Sequence, residues 1–90
     1  MVNYHLVITG RVQGVGFRGS TLMVAREMGV TGYVANRVDG SVFVAVQGEP
    51  AVVKSFIQKM CDGLTPYARV DHVDVKPASL EHFSDFTVRF

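Results

Sequence analysis

The chain has 90 residues, a net charge of +1 at neutral pH, 48% hydrophobic residues and a single cysteine. That length fits one domain over residues 1–90 and leaves no room for two, and the near-neutral charge argues against a surface built for general nucleic-acid or membrane binding. One cysteine excludes an internal disulfide and any zinc site made of several cysteines. The N-terminus shows no basic segment leading into a long apolar run, and no apolar run approaches the ~20 residues needed to span a bilayer. A cytoplasmic protein is expected.

Taken in order, Asn3 to Arg11 reads as a first strand, with Leu6 and Ile8 on one face. A helix follows from Phe17 to Met28, whose stripe at helical spacing is Thr21, Val24 and Met28 with Leu22 and Ala25 beside them, and Gly29 caps its end. Val30 to Asn36 is rich in β-branched and aromatic residues and reads as a second strand. Arg37-Val38-Asp39-Gly40 carries the Asp-Gly hairpin signal, and Ser41 to Gln47 returns as a third strand with Val42, Val44 and Val46 on one face. Gly48-Glu49-Pro50 opens a second helix, with proline near its first position. Val53, Phe56, Ile57 and Met60 form its apolar face, Lys54, Gln58 and Lys59 its wet face, and Gly63 closes it. After the loop Thr65–Ala68, a fourth strand runs from Arg69 to Lys76 and is ended by Pro77. Ser79 to Ser84 reads as irregular, and Asp85 to Phe90 as a short last strand with Phe86, Val88 and Phe90 alternating inward. The order β-α-β-β-α-β, with a C-terminal strand added, predicts an α+β ferredoxin-like sandwich, two helices on one face of an antiparallel sheet whose other face is partly open to water.

The segment Gly10-Arg11-Val12-Gln13-Gly14-Val15-Gly16-Phe17-Arg18 joins the end of a strand to the start of a helix. The first N–H groups of a helix lack internal acceptors, and Ser, Thr, Asp or Asn ordinarily supplies one. Here Gly14, Val15 and Gly16 precede the helix and none can cap through a side chain, while Arg18 sets a positive charge in the first turn. The helix dipole disfavours a cation there by roughly 0.3–1 kcal/mol. Bare N–H groups, a dipole and a guanidinium together suit a phosphate-like anion. The same residues also fit a tight turn with a solvated arginine.

Other motifs are excluded or bland. Gly14-Val15-Gly16-Phe17-Arg18-Gly19 matches G-x-G-x-x-G, with Asp39 some distance on. Strand two, however, runs into a tight hairpin rather than a second crossover helix, so the dinucleotide-binding unit is missing. No Gly-Lys-Ser/Thr follows the glycines, so the nucleotide P-loop fails as well. His5, His72 and His82 lack metal-ligand spacing and are expected on the surface or a sheet face. Cys61, four residues after Ile57, is expected as a small half-buried hydrophobe, and Met23, Met28 and Met60 as packing material. Asn36 ends strand two where the turn begins. Asparagine suits the first position of a turn, and a polar amide at that sheet end could equally face the site of the first loop.

The loop Gly10–Arg18 resembles the signature of the acylphosphatase family, and Gly32-Tyr33-Val34-Ala35-Asn36-Arg37-Val38-Asp39-Gly40-Ser41-Val42 resembles that family's second motif at its usual separation. Gly48-Glu49 and Ala68-Arg69-Val70-Asp71-His72-Val73 are similar to later family segments, so the resemblance covers essentially the whole chain. Tyr33 stands where tryptophan is commoner, and Gly19 where a bulkier residue is common. The resemblance implies the same ferredoxin-like sandwich and metal-independent, cofactor-free hydrolysis of a small-molecule acyl phosphate to a carboxylate and inorganic phosphate. It implies that Arg18 binds the phosphoryl group with backbone N–H groups of the loop Gln13, Gly14, Val15, Gly16, Phe17 and Arg18, and that Asn36 positions the attacking water. A monomer is expected.

The residue types agree with that chemistry. The two motifs hold no general acid placed to protonate a leaving oxygen. A phosphate monoester ejects an alkoxide and usually needs acid or metal help. An acyl phosphate ejects a carboxylate, whose conjugate acid has a pKa of about 4. What remains is to position a water and stabilise charge on the phosphoryl oxygens. Two rivals come from other classes. One is a non-catalytic anion-binding module, such as the acylphosphatase-like domain at the front of larger hydrogenase-maturation proteins, although a chain ending in a strand at Phe90 looks free-standing. The other is an RNA-binding ferredoxin-like domain, which would need paired aromatics on the open sheet face and a basic surface, and no RNP1-like run is present.

Overall fold

A computed structural model describes residues 1–90. Its elements are β1 (Val2–Arg11), α1 (Phe17–Met28), β2 (Thr31–Asn36), β3 (Val42–Gly48), α2 (Pro50–Asp62), β4 (Arg69–Ala78) and β5 (Phe86–Arg89). The strands form one five-stranded sheet in the order β4-β1-β3-β2-β5. The expected ferredoxin-like arrangement is present, with one refinement: β5 pairs with β2 in parallel, so the sheet is mixed, while the β1–β3, β1–β4 and β2–β3 ladders are antiparallel.

Alternation along the strands explains the core. Leu6 and Ile8 of β1, Val34 of β2, Val42, Val44 and Val46 of β3 and Phe86 of β5 are fully buried, together with Phe17 and Ala25 of α1 and Val53, Phe56 and Met60 of α2. Burying one such side chain contributes roughly 1.5–3 kcal/mol. The buried line of α1 is Phe17, Thr21 and Ala25, a strict i, i+4 row, whereas Leu22, Val24 and Met28 are half-buried at its margins. Thr21 is tolerated inside because its hydroxyl donates to the Phe17 carbonyl at 2.8 Å. In α2 the line is Val53, Phe56 and Met60.

Several sequence expectations are corrected here. Cys61 is exposed rather than half-buried, because it follows the buried Met60 by one residue and so turns outward. Pro77 does not end β4, which continues to Ala78 opposite Asn3; β4 lies at the sheet edge, where a missing N–H is tolerated. Phe90 does not point inward. Pairing with β2 ends at Arg89, and Phe90 is fully solvent-exposed at 102%, its ring lying under the Arg18 guanidinium at 4.9 Å.

The face of the sheet away from the core is less open than expected. The irregular segment before β5 crosses it. Asn3 Nδ2 donates to the Ser79 carbonyl at 2.8 Å, and Gln47 exchanges hydrogen bonds with the Glu81 backbone at 2.8 and 2.9 Å. Phe83 meets Tyr33 edge-on at 6.2 Å. Those contacts satisfy both polar atoms of the buried Gln47 and the amide nitrogen of the buried Asn3, whose Oδ1 is left without a partner; an unmade hydrogen bond at such a group costs about 1–3 kcal/mol.

Candidate active site

The site begins at the end of β1, where its ladder with β4 carries a bulge. The register slips between Thr9 and Gly10, and a Cβ at Gly10 would run into the Arg69 carbonyl. Only glycine allows that approach; Asp71 is the extra residue of the bulge, and pairing resumes beyond it as Gly10–Val70 and Arg11–Arg69, to the last residue of β1. Val12 and Phe17, both 1% exposed, then anchor the two ends of the connecting loop in the core.

Between those anchors Gly14 and Gly16 have φ of 72° and 79°, while Val15 has negative φ. Alternating hands of this kind point successive N–H groups toward one concavity, a backbone nest suited to an anion. The N–H groups of Gln13 through Gly19 donate no hydrogen bond inside the chain; the first internal donor of α1 is Ser20, to the Gly16 carbonyl at 3.1 Å. No side chain caps α1, and no acidic residue lies in its first turn.

Facing the loop is a cleft of ≈160 Å³ lined by Val12, Gly14, Gly16, Phe17, Arg18, Gly19 and Asn36. The structure therefore brings Arg18 and Asn36 to one cleft. Asn36 ends β2 opposite Val42, on the same side of the sheet as the buried Val34 and thus toward α1. Its Oδ1 is buried and has no hydrogen-bond partner in the chain. A buried amide oxygen without a donor costs about 1–3 kcal/mol, and it is an acceptor suited to an incoming O–H. No group of three or more His, Cys, Asp or Glu is placed to hold a metal ion.

Gln13 and Val15 belong to the loop but do not line the cleft. The Val15 carbonyl accepts from Thr65 Oγ1 at 3.1 Å, which ties the loop to the segment before β4. The Gln13 side chain reaches the β2–β3 hairpin, where its Nε2 donates to the carbonyls of Arg37 and Ser41, both at 2.8 Å. Sequence reasoning missed Thr65 and this use of Gln13, because both act on backbone carbonyls that carry no side-chain signature.

The hairpin is itself fixed. Asp39 Oδ1 accepts from the Ser41 hydroxyl at 2.6 Å and the Ser41 N–H at 2.9 Å. Those bonds, with the nearby Arg37 charge, hold the Asp39 carboxyl below its ordinary pKa.

A family model described as Acylphosphatase matches residues 4–88. The chain is 46% identical over 82 residues to an acylphosphatase of Lactobacillus johnsonii, covering 90% of each chain. It is 37% identical over 90 residues to one of Ligilactobacillus salivarius, covering 100% of each. The crystal structure of acylphosphatase from Bacillus subtilis superposes with a TM-score of 0.95 at 34% identity, again over 100% of each chain.

Proposed function

This chain belongs to the acylphosphatase family and hydrolyses acyl phosphates, and on that premise we propose that the nest and Arg18 hold the phosphoryl group while Asn36 holds the water that attacks it. The N–H groups of Gln13 through Gly19 supply donors, and the guanidinium adds charge-assisted, bidentate hydrogen bonds as negative charge develops on the phosphoryl oxygens. Asn36 Oδ1 accepts one hydrogen of the water and aims its lone pair at phosphorus, opposite the departing carboxylate. The P–O bond to the carboxylate breaks as the water oxygen bonds to phosphorus. The carboxylate leaves unprotonated, so no general acid is needed, and the water's proton goes to an oxygen of the substrate itself. Products are a carboxylate and inorganic phosphate. The reaction uses neither metal nor cofactor, and residues 1–90 act as one domain, as a monomer, in the cytoplasm.

One observation supports this reading: Asn36, whose Oδ1 is buried and unpartnered, lines the same cleft as Arg18 and the loop whose N–H groups are free. Its test is hydrolysis of benzoyl phosphate by the wild-type protein and by Asn36→Ala, with EDTA present. Losing one such positioning group typically costs about 10²–10³ in kcat. The expected outcome is metal-free turnover that falls by that factor while inorganic phosphate binds within about threefold of wild type. Equal losses of kcat and phosphate affinity would mean that Asn36 shapes the loop instead. A folded wild type that binds phosphate without turning over substrate would leave an anion-binding module.

A further inference from the structure

The anion loop and the residue that faces it lie on segments far apart in sequence, and catalysis needs them in fixed register. The hydrogen bonds that join the two segments come from one side chain, Gln13, whose Nε2 donates to the carbonyls of Arg37 and Ser41, both at 2.8 Å. Those residues flank the turn: Arg37 follows Asn36 directly, and Ser41 precedes its ladder partner Val42. Each carbonyl also accepts a bond from within the turn, Arg37 O from the Gly40 N–H at 3.2 Å and Ser41 O from the Arg37 N–H at 2.9 Å. The carboxamide therefore grips the hairpin at the two points that close it.

We infer that the Gln13 side chain is a positioning residue, which sets the Asn36 amide against the phosphoryl-binding loop by clamping the turn that follows Asn36. This inference rests on the roles proposed for Arg18 and Asn36 and adds a residue whose side chain does not line the cleft. The chemistry of the clamp is specific. It needs two N–H donors on one neutral nitrogen, aimed at two carbonyls, and glutamine supplies them at this reach. Glutamate at neutral pH offers no donor and sets a charge against two carbonyl oxygens. Methionine matches the length and offers nothing polar. A misplacement of about 1 Å in such an arrangement can cost about 10²-fold in rate, so the clamp is felt in kcat rather than in anion affinity, which depends on the backbone donors and Arg18.

The test is a double-mutant cycle on kcat with benzoyl phosphate, using Gln13→Met, Asn36→Ala and the pair, with phosphate affinity and thermal midpoint measured for each. Gln13→Met is expected to lower kcat by about 10- to 100-fold, with phosphate affinity within about threefold of wild type. In the Asn36→Ala background it is expected to lower kcat by less than about twofold, since the residue it positions is gone. The same fold-loss in both backgrounds overturns the inference, and so does a loss of phosphate affinity in step with kcat. An Asn36→Ala protein with wild-type kcat sinks the parent reading instead, and is recognised from that variant alone. Gln13→Glu supplies a second readout that a merely structural role would not move. Protonation of its carboxyl restores one donor, so its kcat relative to wild type is expected to rise as the pH falls from 7 to about 5. A ratio that stays flat or falls over that range, in a variant with an intact thermal midpoint, also overturns the clamp.

Discussion

The two helices begin in opposite ways, and the difference separates a helix start made for stability from one made for a ligand. Helix α2 starts conventionally. Glu49 at its N-cap is extended, at φ −61° and ψ 137°, with Pro50 in the first position and a Val53 N–H to Glu49 carbonyl bond at 2.9 Å. The acidic residue favours the dipole, and proline gives up only an N–H that had no partner. Helix α1 makes the equivalent bond, Ser20 N–H to the Gly16 carbonyl at 3.1 Å, but differs in the rest: a left-handed Gly16 at the N-cap, Arg18 in the first turn, and a run of N–H groups without acceptors that reaches back through the loop to Gln13. Void size points the wrong way. The larger cleft, ≈450 Å³, lies beside the start of α2 among Val2, Tyr4, Pro50, Ile57 and Val75. The ≈160 Å³ cleft at α1 has the converging donors.

Breaking the α1 start has the largest expected effect. Arg18→Ala is expected to lower kcat/KM for acyl phosphates by about 10³-fold through lost charge stabilisation. It also removes the protection given by phosphate, which at 100 times its dissociation constant stabilises the folded wild type by about 2.7 kcal/mol. Arg18→Lys regains little of this, because an ammonium cannot reproduce the guanidinium fork. Wild-type phosphate affinity in either variant, measured by calorimetry, would remove the α1 start from the site.

A subtler measurement sharpens the contrast by its sign. Arg18 also stacks on Phe90, a contact worth about 0.5–1 kcal/mol at an exposed position, so the substitution is best made with Phe90→Leu already in place. There, in phosphate-free buffer, Arg18→Glu is expected to abolish turnover yet raise stability by about 0.5–1 kcal/mol. Glu49→Lys at α2 is expected to lose about 0.3–1 kcal/mol while leaving kcat unchanged. Urea midpoints that move in the same direction for both substitutions would erase the distinction between the two starts.

Most of the α1 start was legible in the sequence, because the signal is local. Glycines replace capping residues, and an arginine sits where the dipole disfavours it. Asn36 was half-legible: its place at a strand end follows from pattern, but its role came from resemblance to a family, since a turn asparagine looks the same. The Gln13 clamp could not be read. Its acceptors are main-chain carbonyls 24 and 28 residues away, and any residue at positions 37 and 41 would present them. Cys61 and Phe90 failed for a related reason. Both sit just beyond the last position at which periodicity is enforced by a packed neighbour. The strap over the outer sheet face was legible only as irregular chain, because its hydrogen bonds are made by backbone groups to Asn3 and Gln47.

The smallest effect concerns the hairpin side of the site. The Asp39 carboxyl is held below its ordinary pKa in the folded protein by its bonds to Ser41. A group depressed on folding adds stability above its unfolded value, near 3.9 (roughly), and loses it as the pH falls through the folded value. Wild type is therefore expected to exceed Asp39→Asn in urea midpoint at pH 7, with the gap narrowing as the pH drops below about 4. A constant gap would show that the carboxylate's charge is not what holds the turn.

Sheet order also fixes when the site comes into being. The hairpin of β2 and β3 joins neighbours in sequence, and a hairpin forms within about 1–10 μs, though it is marginal alone. Strand β1 has no such neighbour. Its Leu6 pairs with Val44 on one side and Val75 on the other, and closing those long loops must precede any reward. The loop after β1 is positioned only once β1 has paired between β4 and β3. Regain of catalysis on dilution from denaturant is thus a clock for the insertion of β1, running at the rate of global folding, with no faster catalytic phase ahead of it.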